Sequence, residues 1–118
     1  MPATVNPWRY VQSTGNLYRP EGTLESAGYS GRGEGLNNPA LQNKQNGPIP
    51  VGKYTCANPV LHPRFGEDAV PLAPFPTNTL FGRTGFWAHG AIDGCLVLPR
   101  AVRLLLVPGT VLEVVAYP

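Results

Sequence analysis

Charge is scarce in this chain: only 14 % of its 118 residues are Asp, Glu, Lys or Arg, and they leave a net charge of +2. The nine basic residues form no run, so the electrostatic footprint of a nucleic-acid binder is missing and nucleic acid is excluded as an expected partner. Long apolar runs are missing too. No stretch is long enough to span a bilayer, and residues 1–19 lack the pattern of a cleaved signal peptide, so no membrane partner is expected. The expectation is a chain made in the cytoplasm, which needs another export route if it acts elsewhere. Histidine and cysteine occur twice each, which allows one disulfide, Cys56 to Cys95.

Proline and glycine are abundant instead, at 14 residues each. That share approaches disordered compositions, but 42 % hydrophobic residues with aromatics throughout favour an ordered, loop-rich fold. Few helix formers and many turn residues point to a mainly β domain, a β-sandwich or barrel with one or two short helices, spanning residues 1–118 as one unit.

Along the chain, residues 8–12 (WRYVQ) read as a strand, residues 13–16 as a turn and residues 17–19 as the returning hairpin arm. A further short strand is expected within residues 23–29. Gly31, Gly33 and Gly35 lack the preceding strand and following helix of a phosphate loop. Asn38 followed by Pro39 reads as the cap and first position of one helical turn. The surrounding amides, Gln42 among them, form either a solvated loop or a groove that hydrogen-bonds a peptide or sugar. Residues 51–56 (VGKYTC) are a convincing strand in which Cys56 reads as a small buried apolar side chain. Residues 58–77, rich in proline, read as a long ordered loop carrying His62. Residues 79–81 and 86–89 read as strands around the turn at 82–85. Pro99 is placed to start a short helix with Val102, Leu105 and Leu106 on one face, and residues 110–117 close the fold as an apolar strand.

The stretch that carries chemistry is 82–100, GRTGFWAHGAIDGCLVLPR. His89 and Cys95 lie six positions apart within it, with Gly90 and Gly94 between them. A thiol preceded by glycine and followed by an apolar run suits a sulfur held at a strand end, with backbone N–H groups free to point at a carbonyl. A histidine on a neighbouring strand end supplies the base that generates the reactive thiolate.

At these residues the chain resembles the L,D-transpeptidase catalytic domain, whose motif places a histidine upstream of Ser/Thr-x-Gly-Cys. The run Ile49, Pro50, Val51, Gly52, Lys53, Tyr54 is similar to that family's (T/I)PxGxY strand. The resemblance is closer to a compact subfamily, the L,D-transpeptidase-like effectors of type VI secretion systems. Their YSGxGxGxNNPxxQxxxxGPIPxGxY segment is reproduced almost whole across residues 29–54, and their histidine-proline loop is matched by LHPRFG at 61–66. The resemblance implies an enzyme acting on peptidoglycan stem peptides, in which Cys95 forms a thioester and releases terminal D-Ala. Water then completes an L,D-carboxypeptidase reaction, or a D-amino acid completes an exchange. It implies His89 as base and then acid, the N–H groups of Gly94 and Cys95 as oxyanion site, and no cofactor or metal. Substrate-binding positions are expected at Tyr29, Asn38, Gln42, Arg83, Gly90, Asp93 and Arg100, with His62 as an alternative base. It also implies a secreted toxin acting in the periplasm of a target bacterium, with a secretion-system component and a cognate immunity protein as partners. Two departures from the family pattern stand out: Asp93 replaces the usual Ser/Thr, and the His-to-Cys spacing is short.

Three other readings compete, one of them a family fold whose shortened His-to-Cys loop has abolished turnover. Papain-like and amidase-type hydrolases place the cysteine before its histidine, whereas both histidines here precede Cys95. A non-catalytic wall-binding module closed by a Cys56–Cys95 disulfide explains the amide-rich segment without chemistry.

Overall fold

The structure, a computed structural model, describes residues 6–90 and 96–118. It is mainly β. Nine strands are present among these residues: β1 Trp8–Val11, β2 Asn16–Tyr18, β3 Leu24–Ala27, β4 Gly52–Cys56, β5 Val60–His62, β6 Gly66–Pro74, β7 Trp87–His89, β8 Leu96–Val97 and β9 Val111–Val115. One short helix, α1 Arg100–Arg103, and two 3₁₀ turns, Gly33–Gly35 and Pro39–Leu41, complete the regular structure. The sheet runs β3-β2-β1-β9-β4-β6-β7-β8, with β5 pairing β6 as a side hairpin.

β1 and β2 form the expected hairpin, with Arg9 opposite Tyr18 and Tyr10 opposite Leu17. The C-terminal β9 is inserted between β1, which it meets in parallel, and β4, which it meets antiparallel. Alternation in β9 and β4 sends Leu112, Val114, Tyr54 and Cys56 into one core with Tyr10, Leu17, Val70, Leu96 and Leu106. α1 covers part of this core with Val102 buried, while Leu105 on the expected apolar face is exposed.

Two expectations are corrected. Residues 58–77 are not a loop: they contain β5 and the longest strand, β6, which joins β4 to β7. Pro71 and Pro74 disguise it, because proline cannot donate to a ladder and demotes a run read from sequence. In the fold, Ala69, Val70 and Leu72 turn inward, and the Leu72 N–H donates to Phe86 across the sheet. Residues 79–81 form no strand. Phe81 has a positive φ of 58° and Arg83 N–H closes a turn onto the Leu80 carbonyl.

Residues 29–47 carry no long element, yet are tightly knit. A Cβ on Gly35 would come within 2.1 Å of the Asn46 carbonyl oxygen, and one on Gly31, at φ 87°, within 2.5 Å of the Gly35 carbonyl oxygen. The glycine spacing thus serves backbone-on-backbone packing. Asn37, itself at positive φ, accepts from Ser30 N–H, and Ser30 Oγ accepts from Ile49 N–H.

Candidate functional site

β7 ends on His89, and β8 begins on Leu96, the residue that follows Cys95 in the chain. The two strands are parallel, with Ala88 opposite Leu96 and His89 opposite Val97. Parallel neighbours ordinarily need a crossover of a dozen residues or more; only residues 90–95 connect these two. Cys95, Gly94 and Asp93 lie outside the described residues, so the nucleophile and oxyanion expectations fall there.

His89 is fully buried. Its ring stacks face to face on Phe65, with centroids 3.9 Å apart and planes 5° from parallel. Phe65 in turn stacks on His62 at 4.4 Å, and Trp87 meets the His62 ring edge-on at 4.8 Å. Burial, followed by the electrostatic influence of Arg103, His62 and Arg64 nearby, lowers the His89 pKa to about 4. At neutral pH the imidazole is therefore uncharged and able to accept a proton.

This depression predicts a pH dependence of folding. The unfolded chain takes up a proton near pH 6.5 and the folded chain only near pH 4. Stability is therefore full above pH 6.5 and is lost as pH falls from 6.5 toward 4, by about 3 kcal/mol from this group. Urea unfolding at pH 7, 5 and 4 should show the loss, and His89→Gln should flatten it.

The other expected site residues divide into two groups. Tyr29, Gly90 and Arg100 line one cleft of about 360 Å³, together with Val97, Pro99 and Arg103. Tyr29 is fixed there by a two-way backbone bridge with Val97, at 3.1 and 2.7 Å. Arg100 pairs with Asp68 at 2.5 Å on an exposed surface. Arg103, which sequence reasoning missed, is buried and donates to the carbonyls of Leu98, Glu67 and Asp68. A Cβ on Gly90 would lie 3.0 Å from its guanidinium. The apolar periodicity of α1 drew attention away from it, although a cation in the last turn of a helix is a recognisable signal.

Asn38, Gln42 and Arg83 do not line the cleft at Gly90. Asn38 caps the 3₁₀ turn Pro39–Leu41: its side-chain oxygen accepts from Ala40 N–H and its amide donates to the Glu34 carbonyl. Gln42 Oε1 accepts from Val51 N–H at the mouth of a different cleft, beside Lys53 and Phe75. Arg83 is buried and donates to the carbonyls of Gln42, Gly47 and Pro48 at 2.7, 3.2 and 2.7 Å. These contacts give all three a role in holding residues 34–51. His62 lies one ring beyond Phe65, and its Nδ1 accepts from the N–H groups of Arg64 and Phe65, which occupies that lone pair.

Cys56 is a free thiol in the core between β9 and β6, with burial pushing its pKa up to about 12. The expected alternative of a Cys56–Cys95 disulfide is thereby corrected: Cys56 is an inert apolar core side chain. Among the described residues no three His, Cys, Asp or Glu side chains gather as metal ligands, and no helix is long and apolar enough to cross a membrane. Comparison with family models, curated proteins and solved structures finds no match for this chain.

Proposed function

We propose that this chain is a cysteine-dependent acyl-transfer enzyme acting on peptidoglycan stem peptides, as an L,D-carboxypeptidase, an exchange L,D-transpeptidase, or both. The observation that carries the proposal is the buried, uncharged imidazole of His89 at the end of β7, beside the strand that Cys95 leads into. The cleft lined by Tyr29, Gly90 and Arg100 opens where β7 ends after His89 and gives room for a peptide. The segment at residues 29–54 and the LHPRFG loop add the resemblance to type VI secretion effectors. On that reading the enzyme is delivered by a secretion system into the periplasm of a target bacterium, and its producer carries an immunity protein.

In the proposed reaction, His89 takes the Cys95 thiol proton as sulfur attacks the carbonyl of the third stem residue. The tetrahedral oxyanion is held by the N–H groups of Gly94 and Cys95. Collapse breaks the amide bond, and the proton passes from His89 to the leaving D-Ala amine. Water, or the amine of a free D-amino acid, then attacks the thioester and regenerates the thiol. Mass spectrometry of muropeptides incubated with the protein tests this. Tetrapeptide stems should lose one D-Ala, or exchange it when a D-amino acid is supplied. Unchanged muropeptides after prolonged incubation would count against the reading.

A further inference from the structure

A second cleft, of about 250 Å³, is lined by Arg32, Arg64, Asn46, Thr84 and Phe65, the ring on which His89 stacks. None of its lining residues is acidic. Arg32 and Arg64 are both exposed, and neither guanidinium forms an ion pair among the described residues, where the ion pairs use Arg19 and Arg100. Arg64 leans over the Phe65 ring at 5.6 Å. Two unneutralised cations, with amide and hydroxyl donors between them, form a site for a carboxylate.

We infer that Arg32 and Arg64 hold the α-carboxylate of the D-amino acid that leaves, or enters, the acyl-enzyme. The inference rests on the peptidoglycan reading above and specifies its leaving-group subsite. Position selects this carboxylate among those of the stem. The cleft and His89 share Phe65: this ring lines the cleft and stacks at 3.9 Å on the imidazole that, in the proposed reaction, protonates the leaving amine. In an α-amino acid the carboxylate is attached to the carbon that bears that amine, whereas the carboxylates of earlier stem residues are further along the chain. Because exchange reverses the same step, the subsite selects free D-amino acids over simple amines as acceptors. Arg64 also contributes to the positive field that keeps His89 uncharged.

The test uses the Cys95→Ala chain, which leaves the peptide intact, and three tetrapeptides measured by calorimetry. One has free carboxylates, one is amidated at the terminal D-Ala, and one is amidated at the diamino acid. The terminal amide should bind about tenfold more weakly than the free peptide, while the diamino acid amide should bind like it. The preference should shrink with added salt and vanish in an Arg32→Gln/Arg64→Gln background. In the active chain the double change should raise KM for tetrapeptide about tenfold and leave kcat nearly unchanged. Arg9→Gln removes the same charge from β1 and serves as the control. Equal affinity for free and terminally amidated peptide, a preference for the other carboxylate, a preference that survives the double change, or no binding at all would each overturn the inference. D-Ala release by the unaltered chain is scored separately, so a failed subsite and a failed enzyme are told apart.

Discussion

Cys95→Ala should reduce D-Ala release to the uncatalysed background, and His89→Gln should lower kcat by about 10²–10⁴-fold, the usual worth of a positioned base and acid. The two losses would differ because, in the proposed reaction, the thiol forms the covalent bond while the imidazole only moves its proton. His89, with a pKa lowered to about 4, cannot keep the thiol ionised at rest. Against an ordinary thiol near 8.5, transfer of the proton to this imidazole is uphill by roughly 6 kcal/mol. On the proposed mechanism the resting site would therefore hold a neutral thiol and a neutral imidazole, with the proton moving as sulfur attacks. Alkylation of Cys95 by iodoacetamide should accordingly be slow below pH 7, rise through the thiol's own titration, and change little in His89→Gln while turnover collapses. Fast alkylation at pH 5 would instead reveal a preformed thiolate–imidazolium pair and overturn this account. His89→Gln must also keep its fold, checked by thermal unfolding at pH 7, because the ring it replaces stacks on Phe65 in the core.

Much of the fold was legible because local rules and the tertiary structure agree. The turn after β1, the cap at Asn38, the start of α1 at Pro99 and the closing β9 each follow from turn chemistry or apolar patterning. β6 was not legible, since its prolines obey a local rule that pairing on both sides overrides. For the site, His89 stood out as one of two histidines, and Tyr29, Gly90 and Arg100 do share a cleft. The stack His62–Phe65–His89 could not be read from sequence, because it joins a hairpin turn to a strand 24 positions away. Arg32 and Arg64 were hidden similarly, as unremarkable loop cations until the fold sets them around one cleft. The amide-rich segment reads from sequence as either a solvated loop or a groove; its Asn37, Asn38 and Gln42 side chains bond the backbone of residues 30–51 and hold that loop in place.

Arg83 gives the largest expected stability effect, because three carbonyls depend on one side chain. Its guanidinium reaches Gln42, Gly47 and Pro48, of which Gly47 and Pro48 are buried. Arg83→Met keeps the apolar stem and removes every donor, so the buried carbonyls lose partners that water cannot replace. The cost should be about 4 kcal/mol, comparable with breaking other buried charge-assisted networks. Arg83→Lys should recover about half, since a single ammonium cannot match the planar fork that serves three acceptors. The damage should be local first. Asn46 accepts from Arg32 N–H, and the Gly31 and Gly35 backbones pack against residues 46–47, so loosening this strap frees the walls of the arginine-lined cleft. Hydrogen exchange should therefore rise at the Arg32 and Gly35 amides before it rises in β4 or β9. Urea unfolding decides between this role and the substrate contact expected from the sequence. A lowered midpoint with KM raised only as the loop loosens supports the strap. An unchanged midpoint with a raised KM would return Arg83 to the substrate.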